Sequence, residues 1–175
     1  MIRCSGFVAA RVQLLIPALC FGMISSKIHF YEILLETDMN ANILVIDDEE
    51  SIRFTFCKFL AEKGNNVCTS KNLLESLSKM KETIYDVIIV DIILSDGCGL
   101  DVLKKVDHNE VETQVIIMTA YPTMETIDMS FKMHAADYII KPIRQNELIS
   151  SVNNIIQSKL SLRKNNIESQ AKLSA

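Results

Sequence analysis

Asp86-Val87-Ile88-Ile89-Val90-Asp91 decides the fold: four branched apolar residues in succession, closed by a carboxylate. An unbroken run this short, made of Val and Ile, is the form of a strand buried on both faces of a parallel sheet; a strand with one wet face would alternate. Three further runs of four residues or fewer flank it, at Ile43–Ile46, Val115–Met118 and Tyr138–Ile140, and a weaker strand is expected at Val67–Thr69. Helical patterns lie between them. Ile52, Phe56, Phe59 and Leu60 share one face, and Gly64 is placed to end that helix in the left-handed conformation. Leu73, Leu74 and Leu77 mark a second helix, Leu100 and Leu103 a short third, and residues 123–133 a fourth that follows Pro122. Leu148, Ile149, Val152, Ile155 and Ile156 give a fifth helix a broad apolar stripe. Strands alternating with helices predict an α/β domain, doubly wound, with a five-stranded parallel sheet in the order 2-1-3-4-5 and helices on both faces.

The residues that end each run carry the chemistry. The first strand runs into Asp47 and Asp48, the third into Asp91, the fourth into Thr119, and the fifth into Lys141-Pro142. Open parallel sheets bind ligands outside the carboxyl ends of their strands, so these polar groups converge on one crevice. Three neighbouring carboxylates repel one another unless a hard cation sits among them, and oxygen-only ligands point to Mg²⁺. A nearby ammonium and hydroxyl then supply charge and a donor for phosphoryl oxygens, which suits phosphoryl transfer to a carboxylate. Singly, each residue has an ordinary reading: Asp47 and Asp48 as acids at a helix start, Asp91 as a turn residue, Tyr138 as packing. Their arrival together at successive strand ends favours the functional one.

From about Asn42 to Ile156 the chain resembles the receiver domains of two-component response regulators, which are flavodoxin-like in fold. The resemblance rests on Asn42-Ile-Leu-Val-Ile-Asp-Asp-Glu-Glu-Ser51, on Asp86 through Leu94, on Gln114-Val-Ile-Ile-Met-Thr-Ala-Tyr121, and on Asp137-Tyr-Ile-Ile-Lys-Pro-Ile143, in that order. Asp96-Gly97-Cys98-Gly99-Leu100 and the stretch from Thr119 to Thr126 look most like receivers of the nitrogen-regulator class of activators. It implies Asp91 as the phosphoacceptor. Asp48, the Asp91 carboxylate and the Ile93 carbonyl would ligate Mg²⁺, and Asp47 would hold it through water. Lys141 would pair with one phosphoryl oxygen and Thr119 with another, while Tyr138 turns inward as the aromatic switch. The expected donor is a sensor histidine kinase or phosphotransfer protein. The expected output is contact with a protein through the face of the fourth helix, fifth strand and fifth helix, with dimerisation on phosphorylation and no direct nucleic-acid binding. Such a domain is a signalling phosphoacceptor that catalyses only its own phosphorylation and dephosphorylation.

This sequence departs from the family pattern in places. Ser95 stands where receivers usually carry Pro, implying a looser loop after Asp91. Ile93 and Tyr121 are bulky where water should approach the acyl phosphate, implying slow hydrolysis. His134 replaces the usual Gly after the fourth helix, implying strain or a reshaped turn there. A flavodoxin would need a phosphate loop where the acidic pair stands, and a phosphatase of this shape would want an acid at Ile93; neither alternative fits.

Composition agrees with a globular domain. Apolar residues make up 49% and charged residues 23%, with a net charge of −4 and a pI near 5.4, so charge alone gives no footprint for nucleic acid. The five cysteines form no C-x-x-C pair and no cluster with histidine, which argues against a zinc site and fits a reducing cytoplasm. Residues 1–40 form an apolar and basic leader, with no acid before Glu32 and an uncharged run from Val12 to Ser26. At about 1.5 Å per residue that run falls short of a ~30 Å hydrocarbon core. It resembles a signal-peptide core but lacks an A-x-A site, which leaves an accessory or spurious leader and a membrane-surface or partner-binding segment as the two readings. The receiver unit is expected over 41–160, followed by a polar tail over 161–175 that either frays at once or first continues the fifth helix. His108 lies among acids and reads as a solvated loop residue.

Overall fold

The computed structural model describes residues 40–106 and 113–173, with side chains described through residue 162. Residues 1–39 of the leader and His108 therefore lie outside the described residues. The elements are β1 (Asn42–Ile46), α1 (Glu50–Ala61), β2 (Asn66–Ser70), α2 (Leu73–Glu82), β3 (Val87–Asp91), β4 (Ile93–Leu94), β5 (Gly97–Cys98), α3 (Leu100–Leu103), β6 (Gln114–Thr119), α4 (Met124–Lys132), β7 (Asp137–Ile140) and α5 (Gln145–Leu173). Five strands make one sheet in the order β2-β1-β3-β6-β7, every pair parallel. In chain order of the large strands that is the expected 2-1-3-4-5.

The central strands are wholly apolar because both their faces are covered. Every residue of β3 is buried, as are Ile43–Ile46 of β1 and residues 115–119 of β6. Alternate residues face opposite sides. Leu44, Ile46, Ile88, Val90, Val115 and Ile117 join Leu100 and Leu103 of α3 in one cluster, with Leu73 and Met80 of α2 packed against it. On the other side α1 packs on α5, contributing Phe56 and Leu60 against a stripe that buries Leu148, Val152 and Ile156. Each Val or Ile so buried contributes on the order of 2 kcal/mol relative to exposure.

Helix boundaries follow local chemistry. Past Ala61, α1 gives way to a turn that closes at Gly64, whose φ of 85° is open to glycine without steric cost. The α4 helix starts with a capping box in which Thr123 accepts from the Thr126 amide and Thr126 accepts from the Thr123 amide, both at 3.1 Å. The turn that follows Lys132 passes through His134, whose φ is 64°. That strain costs about 1–2 kcal/mol in a residue with a Cβ, partly offset because glycine loses more entropy on folding. His134→Gly is expected to raise stability by a few tenths to about 1 kcal/mol, read from the midpoint of chemical denaturation at unchanged slope.

One feature differs from the sequence expectations. The loop after Asp91, expected to be loose at Ser95, is a hairpin: Ile93 faces Cys98 and Leu94 faces Gly97 in antiparallel register. Leu94 is buried in the core and Asp96 is bonded to α2, which fixes this loop without proline. The polar tail from residue 161 continues α5 as far as Leu173, in line with the reading that extends the fifth helix. No helix among the described residues is long and apolar enough to cross a membrane.

Candidate functional site

The carboxyl ends of β1, β3, β6 and β7 bring five of the singled-out side chains together. Asp47 follows β1 and is fully buried; Asp91 closes β3 and Thr119 closes β6, both buried. Asp48 is exposed at the start of the turn into α1. Carboxylate oxygens of Asp47, Asp48 and Asp91 lie within 4.8 Å of one another. Lys141, just past β7, spans the gap: its Nζ donates to Asp47 Oδ2 at 2.7 Å and to Asp91 Oδ2 at 2.5 Å, with Glu49 Oε1 at 3.9 Å. The Lys141-Pro142 bond is cis, and the Lys141 amide donates to the Thr119 carbonyl at 2.8 Å.

Backbone groups complete the hold on the acids. Asp47 Oδ1 accepts from the Glu49 amide at 2.8 Å, and Asp91 Oδ1 accepts from the Ile93 amide at 3.2 Å. Arg53, one turn into α1, donates from Nη1 to the carbonyls of Asp47 and Asp48, both at 2.8 Å. It is the one basic residue between Asp47 and Cys57. That isolation in a run of acids was the available signal for its role. Gly99 lies against the Asp91 backbone so closely that an added Cβ would collide with the Asp91 carbonyl. Nothing local in the sequence indicates that contact.

The electrostatics are those of a site short of positive charge. Burial pushes the Asp47 carboxyl above its usual range, against the opposing pull of Lys141 and the Glu49 amide. For Lys141 burial acts downward, but its bonds to Asp47 and Asp91 outweigh it and hold the ammonium above its ordinary value. Three carboxylates facing one ammonium leave two negative charges uncompensated within the cluster. An all-oxygen donor set of this kind fits a hard divalent cation.

The hydroxyls of Thr119 and Tyr138 have partners other than the three acids and Lys141. Thr119 Oγ1 accepts from the Tyr121 amide at 3.1 Å, and the half-buried Tyr138 has its hydroxyl 3.0 Å from Thr126 Oγ1 on α4. Ile93 and Tyr121 are exposed, at 53% and 72%.

Residues 43–153 match the family described as the response regulator receiver domain. The chain belongs to that family. Receivers are the phosphoacceptor domains of two-component signalling; they bind Mg²⁺ in an acidic pocket and interact with histidine kinases and output domains. Regulatory protein AtoC of Escherichia coli K12 is 33% identical over 121 residues, 69% of this chain and 25% of that protein. Transcriptional regulatory protein ZraR of Klebsiella oxytoca is 33% identical over 102 residues, 58% of this chain and 23% of that protein. The chain thus spans about a quarter of the length of these curated relatives. Among solved structures, a receiver domain from Clostridium thermocellum superposes with a TM-score of 0.64 at 31% identity, covering 70% of this chain and 98% of that one. NtrX from Brucella abortus gives 0.67 at 25% identity, covering 73% of this chain and 29% of that one. These relatives agree with the nitrogen-regulator resemblance read from residues 91–126.

Proposed function

We propose that Asp91 is the phosphoacceptor of this receiver and that its site works with Mg²⁺. The observation that carries the proposal is the Lys141 ammonium bridging Asp91 and the buried Asp47, with Asp48 in the same carboxylate cluster. The carboxylates of Asp48 and Asp91 and the carbonyl of Ile93 would hold the ion, and Asp47 would hold it through water. When bound, Mg²⁺ neutralises charge on the phosphoryl oxygens.

The remaining steps belong to the chain. An Asp91 carboxylate oxygen attacks phosphorus in line; the bond from phosphorus to the donor nitrogen breaks, and the donor imidazole leaves with that electron pair. Lys141 moves its ammonium from Asp91 to a phosphoryl oxygen while keeping Asp47. Thr119 Oγ1 uses its lone pair for the Tyr121 amide, so its hydroxyl proton remains to donate to a second phosphoryl oxygen. As Thr119 moves, Tyr138 leaves Thr126 and turns inward, altering the face formed by α4, β7 and α5. Met129, Phe131 and Ile140 are exposed on these elements and offer apolar contact to an output protein. The working unit in this reading is 41–160, with a histidine kinase or phosphotransfer protein as donor in a cytoplasmic setting and dimerisation on phosphorylation.

The test is incubation of the full chain with a small acyl-phosphate donor, followed by intact mass, with and without Mg²⁺. A single phosphoryl addition that requires Mg²⁺ is expected; no addition, or addition indifferent to the metal, contradicts the proposal. The lifetime of the product is a separate prediction. Ile93 has no polar group to orient a water molecule, and Tyr121 is large. Replacing both, Ile93→Asn with Tyr121→Ala, is expected to shorten the phosphoprotein half-life about tenfold by admitting and orienting water. An unchanged half-life would remove the role assigned to these two side chains.

A further inference from the structure

The hairpin that follows Asp91 is fixed at both ends. At the inner end, the Ile93 amide donates to Asp91 Oδ1 at 3.2 Å and the Gly99 amide donates to the Ile92 carbonyl at 2.8 Å. At the outer end, Asp96 reaches across to α2. Its Oδ1 accepts from the Leu73 amide at 2.8 Å and its Oδ2 from the Leu74 amide at 2.9 Å. These are the first two amides of α2, which can have no partner inside the helix. The third, of Glu75, is taken by the Asn72 side chain at 2.9 Å. Gly97 also abuts this turn: an added Cβ would come within 2.9 Å of Leu73 Cδ2.

Both oxygens of Asp96 are thus committed to a neighbouring helix, and the negative charge sits at the favourable end of its dipole. The Leu74 and Leu73 amides hold the Asp96 carboxyl below the usual carboxylate range. The hairpin needs such a clasp. Its strands have two residues each, an isolated hairpin of that size is marginal in water, and Ile93 points its side chain largely into solvent.

We propose that Asp96 is a positioning residue for the Mg²⁺ site: by gripping the N-terminus of α2 it holds the β4–β5 hairpin where the Ile93 carbonyl can serve the metal. This rests on the metal assignment of the proposed function and extends it to a residue that touches neither metal nor phosphoryl group. The claim is about affinity for the cation, so stability alone does not test it. A residue that only stabilised α2 would lower the melting temperature and leave Mg²⁺ binding as it was.

The experiment is calorimetric titration of the full chain with Mg²⁺, comparing wild type with Asp96→Ala and Asp96→Asn, alongside amide exchange at Leu73 and Leu74. Asp96→Ala is expected to weaken Mg²⁺ binding about tenfold, the lower end of what losing support behind a metal ligand costs. Asp96→Asn keeps one acceptor oxygen and should fall between. In acyl-phosphate labelling, the Mg²⁺ concentration for half-maximal rate should rise in the same ratio, while the rate at saturating Mg²⁺ stays near wild type. Should Asp96→Ala fail to fold, Asp96→Asn decides alone. Faster exchange at Leu73 and Leu74 with unchanged Mg²⁺ affinity would overturn the proposal and leave the metal assignment standing. A wild-type chain that takes up no Mg²⁺ would remove the metal assignment itself, and this inference with it.

Discussion

Asp91→Asn is expected to abolish Mg²⁺-dependent phosphoryl uptake while leaving the domain folded. The amide oxygen is a poor nucleophile and cannot form the acyl phosphate, so the loss should be complete. The fold has no reason to suffer. An asparagine Oδ1 can still accept from the Ile93 amide, and Lys141 keeps its bond to Asp47. Removing one carboxylate from a cluster with two uncompensated charges also relieves repulsion, so thermal stability without metal should match or exceed the wild type. The checks are intact mass after acyl-phosphate treatment and a thermal melt by circular dichroism. Equal uptake by the variant would move the acceptor elsewhere; an unfolded variant would mean that the Asp91–Lys141 pair is needed for the fold itself.

Gly99→Ala should fail for a different reason, and at two levels. Gly99 has an ordinary helical φ of −60°, so conformational freedom is not what requires glycine here. Space is. An alanine Cβ would overlap the Asp91 carbonyl and approach Val90 Cγ2 at 2.8 Å, and both lie in the central strand of the sheet. No flexible side-chain end is available to yield, so the end of β3 or the start of α3 must shift. Overpacking of this kind costs about 1–3 kcal/mol, occasionally more, and the upper end is expected because backbone must move. The shift falls on the residue that carries Asp91. A displacement on the order of 1 Å at a reacting group can cost on the order of 100-fold in rate. The variant should therefore lose chemical stability and label far more slowly even under conditions where it is fully folded. Wild-type labelling rates in a folded Gly99→Ala chain would show that the acceptor tolerates movement of its strand end.

The sheet was legible in the sequence because its strands are buried on both faces, which leaves runs such as Val87–Val90 with no polar residue to blur the pattern. The same burial explains why the chemistry stands out. Asp47, Asp91, Thr119 and Lys141 each interrupt an apolar run at its carboxyl end, and the parallel topology carries all four to one edge. What stayed hidden depends on proximity rather than pattern. Two-residue strands such as β4 and β5 are too short to show a period of two. Arg53, Asp96 and Gly99 act through backbone groups five to twenty-three residues away or through a close approach of two chain segments. Hydropathy carries no trace of such contacts. How far α5 continues past residue 161 could not be read from the sequence, because a polar helix has no apolar stripe to mark its end.

The central claim is that the phosphoryl group sits on Asp91, and locating it chemically tests that claim most directly. Acyl phosphates are reduced by borohydride, so a phosphorylated aspartate becomes homoserine while unmodified carboxylates are left alone. The full chain, treated with acyl phosphate and Mg²⁺, reduced and digested, should carry that change in the peptide spanning Asp86–Leu94, at position 91 and nowhere else. A reduced residue at Asp47 or Asp48, or a stable label on another side chain with position 91 intact, would contradict it.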